Sequence, residues 1–116
     1  MNQKARFLPK NRITKRSDFL KVQKNGRPLF GPGFIVKVFD KNEGEKRLGI
    51  VVTKKTGNAV VRARWKRLVR ECFRHNIALV PEQTDVVFVV KATTQGPPPK
   101  TLALEMKKIL TKIKRP

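Results

Sequence analysis

Apolar side chains recur along the chain with two different periods, and each period marks one kind of element. Over residues 34–40 they alternate as in a strand, with Phe34, Val36 and Val38 on one face and Ile35, Lys37 and Phe39 on the other. Residues 47–53 alternate as well, setting Leu48, Ile50 and Val52 opposite Arg47, Gly49, Val51 and Thr53. The polar stretch 41–46, KNEGEK with Gly44, predicts a turn that joins these two strands as a hairpin. Residues 85–91 form a further strand with Val86, Phe88 and Val90 on its apolar face. Residues 27–33 are broken by Pro and Gly and have room only for a short edge strand.

In three places the period lengthens to that of a helix. Ser17 as a cap, Asp18 near the positive helix end and Gly26 as a stop predict a short helix over 18–25, with Phe19, Leu20 and Val22 on its apolar side. The strongest pattern starts at Ala59 and runs to about His75 or Asn76, with Val61, Trp65, Leu68, Val69 and Cys72 in one sector. After the breaker Pro81 and the stiff loop 96–99 (GPPP), a last helix over 101–114 carries a stripe of Leu102, Met106, Ile109, Leu110 and Ile113. The order α-β-β-β-α-β-α predicts an α/β (α+β) two-layer sandwich with about four strands in a central sheet and three helices. Phe34, Val36, Val38, Leu48, Ile50, Val52, Val86, Phe88 and Val90 give the sheet one face for the two longer helices to cover. The opposite face, with Lys37, Phe39, Val51, Thr53 and Lys91, is left for the short helix or for a ligand.

A chain of 116 residues suits a single domain over 1–116, preceded in its first sixteen residues by a basic arm bearing Lys4, Arg6, Lys10, Arg12, Lys15 and Arg16. Lys and Arg number 28 against 8 Asp and Glu, so the formal net charge is +20. Self-repulsion on that scale opposes compaction unless a polyanion offsets it, which points to nucleic acid and away from small neutral substrates. One cysteine, Cys72, rules out an internal disulfide and suits a reducing, cytoplasmic setting. The apolar runs have strand length and no apolar region follows the basic N-terminus, so neither a membrane span nor a signal peptide is expected.

A search for a protein active site finds none. Asp18, Asp40, Glu43, Glu45, Glu71, Glu82, Asp85 and Glu105 are scattered, and the one close pair, Glu43 and Glu45, lies in a polar turn. His75 sits at a helix C-terminus, where an imidazolium is favourable for dipole reasons alone, and Cys72 falls within an apolar sector. Neither a catalytic residue nor a protein metal site is therefore expected. Gly57 and Asn58, after Lys54 and Lys55, could direct backbone N–H groups at a phosphate, but the stretch lacks the longer glycine loop of a nucleotide-binding P-loop. The long helix bears Arg62, Arg64, Lys66, Arg67, Arg70 and Arg74 against one acid, Glu71. Like charges at i, i+4 cost stability on a solvated face, so this pattern reads as a phosphate-binding surface. Neither a helix-turn-helix pair nor a zipper is present, which disfavours DNA as the partner. Phe19 and Phe39, each core-like when taken alone, share a side with Lys37 and Lys91 and could form a platform for unstacked bases.

Residues 47–74, RLGIVVTKKTGNAVVRARWKRLVRECFR, resemble the protein component of bacterial ribonuclease P. The pattern is a strand, a Lys-Lys loop, Gly-Asn-Ala-Val, and an Arg-rich helix with Lys-Arg and Arg-Glu. Residues 17–26, SDFLKVQKNG, look like the first helix of that family, and the element order matches along nearly the whole chain. Ala63, Trp65 and Gln23 depart from the usual residues, and the sector of Trp65 places it in the core. The resemblance implies a subunit of an endonuclease that removes 5′ leaders from precursor tRNA, with catalysis and Mg2+ on a large RNA subunit. It further implies that Lys54, Lys55, Asn58, Arg62, Arg64, Lys66, Arg67 and Arg70 face that RNA, and that Arg12, Phe19, Lys37, Phe39, Val51 and Lys91 take the leader. A left-handed crossover between the second and third long strands is implied as well, against the usual right-handed rule. Two other readings remain open on the residues alone: a structural, ribosomal-type RNA-binding protein, and a nuclease with its own active site.

Overall fold

The most apolar strand takes the middle of the sheet, and that choice organises the rest. A computed structural model of the chain describes residues 9–91 and 99–113. Its elements are α1 (Arg16–Asn25), β1 (Arg27–Gly31), β2 (Phe34–Asp40), β3 (Arg47–Val51), α2 (Ala59–His75), β4 (Thr84–Val90) and α3 (Pro99–Thr111), in the expected order. They build one sheet with strand order β1-β2-β4-β3. β1 and β2 form an antiparallel hairpin, β2 runs antiparallel to β4, and β3 runs parallel to β4.

The expected hairpin of 34–40 with 47–53 does not form, because β4 lies between β2 and β3. β4 is apolar on both faces, with Val86, Phe88 and Val90 pointing one way and Val87 and Val89 the other, and all but Val89 are buried. Such a strand needs neighbours on both edges. Alternation shows which residues share a face but not which strand lies alongside, and the turn-like composition of 41–46 gave the wrong partner. That stretch instead bridges across, with the Lys41 N–H donating to Gln83 O at 2.8 Å.

One face of the sheet is closed as the alternation predicts. Phe34, Val36, Val38, Leu48, Val86, Phe88 and Val90 pack beneath Trp65, Val69 and Cys72 of α2 and the Leu102, Met106, Ile109 and Leu110 stripe of α3. Phe34 and Phe88 stack with centroids 4.5 Å apart, and Trp65, 4% exposed, lies 6.5 Å from Phe88. Phe73, outside the predicted sector, is also fully buried. On the other face α1 inserts Val22 beside Val87, together with Ile13 from the segment before the helix.

Several boundaries move. α1 begins at Arg16 with Lys15 at the cap position and no side-chain capping bond, so Ser17 lies inside the helix rather than at its cap. β3 ends at Val51, and α3 spans 99–111 rather than 101–114. Residues 96–98 of the GPPP stretch, Lys114, and Lys4 and Arg6 of the basic arm lie outside the described residues. The arm itself is folded from Pro9 onward. A 3-10 turn over Pro9–Asn11 leads to a parallel bridge between Arg12 and Leu48, and the Ile13 N–H donates to Leu48 O at 3.0 Å. Asn11, 5% exposed, donates from Nδ2 to Lys46 O at 2.9 Å. Ile13 supplies the apolar residue that turns this stretch inward, and the segment blunts the open edge of β3.

One ionic cluster ties these pieces together. The Asp85 carboxylate, 2% exposed at the start of β4, accepts from Arg47 Nε at 2.9 Å and Nη2 at 2.8 Å, and Lys41 Nζ lies 2.8 Å away. The remaining arm of Arg47, Nη1, donates to Asp18 of α1 at 3.2 Å. Its paired hydrogen bonds to Asp85 raise the affinity of this guanidinium for its proton above the ordinary arginine range. Replacing Arg47 with Met leaves a buried carboxylate with Lys41 as its remaining cation in the cluster. Loss of a buried pair costs about 3–5 kcal/mol, and with Lys41 retained the expected loss is about 2–3 kcal/mol in urea unfolding. A change within about 0.5 kcal/mol, the range of ordinary surface substitutions, would show that the cluster does not hold the fold.

Candidate nucleic-acid interface

The basic helix α2 starts where the sequence provides a cap and a flexible joint. Asn58 Oδ1 accepts from the Val61 N–H at 3.0 Å, satisfying one of the free donors of the first turn. Gly57 just before it has φ +152°, and a Cβ there would sit 2.9 Å from Val61 Cβ. The side chain of Asn58 thus caps the helix, a use that the expectation of an RNA contact did not include. Lys54 and Lys55 are exposed on a 3-10 turn over Lys54–Thr56, directly ahead of that cap.

Along α2 the single acid is neutralised locally. Glu71 accepts from Arg74 at 2.8 Å and lies 3.5 Å from His75 Nε2, and the Arg74 hydrogen bond holds its carboxyl below the usual glutamate range. Among the described residues, Arg62, Arg64, Lys66, Arg67 and Arg70 form no ion pair. Arg62 is half-buried, and its Nε is enclosed without a hydrogen-bond partner among the described residues. Arg64, Arg67 and Arg70 flank a groove of about 400 Å³ whose floor includes Val60 and Ala63. Five cations without counter-charges on one helix make a surface that gains from anions. Cys72 is buried, and burial pushes its thiol pKa up, so it is a core residue and not a poised nucleophile.

A cleft of about 510 Å³ opens between α1, β3 and α2, lined by Thr14, Arg16, Phe19, Leu20, Gln23, Ile50, Val51, Val52 and Lys66. The Phe19 ring packs against the backbone of Gly49, where a Cβ would approach its Cε1 to 2.5 Å, so glycine provides the seat for the ring. A smaller recess beside it is shared by Arg12, Phe19, Lys66 and Arg70. Lys66 and Arg70 therefore belong to the helix face and to the cleft margin at once, so the cations of α2 run on to the edge of the cleft.

Of the residues expected around a leader, Phe19 and Val51 line the cleft and Arg12 adjoins it. Lys37 reaches it only indirectly, its Nζ donating to Gln23 O at the end of α1 at 3.3 Å. Phe39 lies partly buried against the Val22 cluster and borders a different recess, with Asp18 and Lys21. Lys91 is exposed at the far side of the sheet, its Nζ 5.9 Å from the Phe30 ring centroid. Thr14, Arg16, Leu20, Ile50 and Val52 line the cleft without having been singled out for it. Leu20, which its spacing put on the apolar side of α1 with Phe19 and Val22, is instead 51% exposed at the cleft.

Among the described residues no group of three His, Cys, Asp or Glu side chains could hold a metal ion. Asp18, Glu71 and Asp85 are each engaged by arginine. No helix among the described residues is long and apolar enough to cross a membrane.

Comparison with known proteins gives one consistent family. The family model described as Ribonuclease P matches residues 7–114. The ribonuclease P protein component of Syntrophus aciditrophicus is 36% identical over 110 residues, covering 95% of this chain and 92% of that protein. The solved ribonuclease P protein of Thermotoga maritima superposes with a TM-score of 0.78 at 31% identity, over 90% of this chain and 98% of that one. The Staphylococcus aureus ribonuclease P protein superposes with a TM-score of 0.67 at 30% identity, over 89% and 91% of the two chains.

The seat of Phe19 gives a test that separates binding from stability. Gly49→Ala should tilt the Phe19 ring out of the cleft while the fold persists. Affinity for single-stranded RNA should fall severalfold, with urea stability shifting by no more than about 1 kcal/mol, since only the end of one side chain must move. Unchanged RNA affinity would remove Phe19 from the interface.

Proposed function

The chain belongs to the ribonuclease P protein family, and we propose that it acts as the RNA-binding subunit of a ribonucleoprotein that removes the 5′ leader from precursor tRNA. The observation that carries this reading is the continuity of the surface: the unpaired cations of α2 run through Lys66 and Arg70 into a cleft with an aromatic seat. A generic RNA-binding face needs the first part and has no use for the second.

In this role Lys54, Lys55, Arg62, Arg64, Arg67 and Arg70 neutralise phosphates of the RNA subunit, the arginines with planar groups able to grip two oxygens. Asn58 contributes by fixing the start of α2 and so the direction of that row. Phe19 offers its ring to an unpaired leader base, Val51 floors the cleft, and Arg12 and Lys66 hold phosphates along its margin. Lys37 and Lys91 add charge farther along the same sheet face, and Phe39 supports α1 from beneath. The bond-breaking chemistry would belong to the RNA subunit, which would hold the Mg2+ that supports it, while this chain's residues bind and position RNA. The protein holds the leader against that site and offsets the repulsion between two polyanions, which lowers the Mg2+ concentration that the assembly requires.

Cleavage of a precursor tRNA at low Mg2+, with protein alone, with a bacterial ribonuclease P RNA alone and with both, tests the assignment. Cleavage is expected to be fast only with both. Activity of the protein alone would return the chemistry to this chain, and no enhancement would leave a ribosomal-type RNA binder. Phe19→Ala should weaken binding of precursor tRNA by about 1–2 kcal/mol, the worth of one stacked base, and leave mature tRNA unaffected. An equal loss on both RNAs would take the leader out of the cleft. Arg62→Ala and Arg70→Ala should each weaken assembly with the RNA subunit and reduce the slope of log K against log salt by roughly one for each phosphate that is no longer neutralised. An unaltered slope would show that these side chains do not meet phosphate.

A further inference from the structure

Phe30 is the most exposed of the large apolar side chains described, at 68%, and neither core uses it. It stands on the edge strand β1, where Leu29 beside it turns into the main core, so Phe30 projects from the face that α1 occupies. Register places it at the end of a row. Phe30 is opposite Ile35, Ile35 is opposite Val89, and Val89 is opposite Val51 in the cleft. The row crosses all four strands, three interstrand steps of ~4.8 Å each.

We propose that Phe30, with Lys91 beside it, is an outer stacking station for single-stranded RNA that leaves the cleft and crosses the sheet to its β1 edge. The proposal rests on the reading of the cleft as a leader site and extends that site to a second aromatic residue. Lys91 Nζ lies 5.9 Å from the Phe30 ring centroid, so one aromatic face and one ammonium are presented together, the pair needed to hold a base and its phosphate. The charge around the row favours RNA over an apolar protein partner. Lys37 is on the same sheet face, and Arg27, the cation on β1, has its own acid in Asp40 at 3.6 Å. The row also continues a surface already cationic at its other end, through Lys66.

The test uses the reconstituted ribonucleoprotein and a series of precursor tRNAs whose leaders lengthen one nucleotide at a time. Phe30→Ala should match the wild type while the leader is short, then fall behind by about fivefold or more in affinity once the leader can cross the sheet, the lower end of what one stacked base contributes. Phe30→Leu, which keeps an apolar side chain without the ring, should lose as much, and Phe30→Trp should retain full affinity. Phe19→Ala serves as the control for the cleft. If Phe19→Ala weakens leader binding and Phe30→Ala does not at any length, the outer station is wrong and the cleft stands. If neither changes leader binding, the parent reading falls as well. Full affinity in the Leu variant would reduce the contact to apolar burial and overturn stacking. Loss of self-association on sedimentation of Phe30→Ala, with leader binding intact, would make the row a protein interface instead.

Discussion

The arrangement of this protein depends on one buried carboxylate. Asp85 is enclosed at the start of the central strand, where an unpaired charge is prohibitive, so Arg47 and Lys41 must both come to it. Arg47 brings β3 into parallel register beside β4, and its third nitrogen draws α1 down through Asp18. Because side chains alternate along β3, the anchor at Arg47 settles the next two positions on that face: Gly49 becomes the seat of Phe19, and Val51 the floor of the cleft. A slip of one residue would turn all three to the wrong side. The binding surface is thus a geometric result of an ion pair that itself has no contact with the cleft.

The other organising quantity is charge in excess of any internal need. Asp85 and Asp18 are committed to the anchor and Glu71 to Arg74, whereas Arg62, Arg64, Lys66, Arg67 and Arg70 of α2 are left without ion-pair partners among the described residues. Free in solution this is a stability cost, and a bound polyanion reverses its sign by mass action. The structure meets its buried electrostatic requirement with few acids, and the cations it leaves without counter-charges include the row on α2 that borders the cleft.

Periodicity made the individual elements legible. The alternating residues of β2, β3 and β4, the α2 sector and the α3 stripe all pack where their spacing puts them, because burial is decided locally by which side a residue points to. Strand adjacency was not legible. It is settled by the two-faced burial of β4, and a polar connection such as 41–46 has the same composition whether it turns tightly or bridges. The unpaired row of α2 could be read from its charges, whereas the cleft could be read only in part. Thr14, Arg16, Ile50 and Val52 become neighbours through the docking of α1, which no short-range spacing encodes. Asn58 shows the opposite difficulty, since a residue suited to contact RNA is equally suited to cap a helix, and here its oxygen is used for the cap.

The order in which these contacts arise also has a kinetic meaning. The β1–β2 hairpin closes over two residues, Pro32 and Gly33, whereas the Arg47–Asp85 pair joins positions 38 apart, with α2 lying between them. The β2–β4 pairings span more of the chain still, so every contact of β4 pays its loop entropy before it is rewarded, and the local hairpin at one edge of the sheet is joined to the cleft at the other only through these long-range pairings.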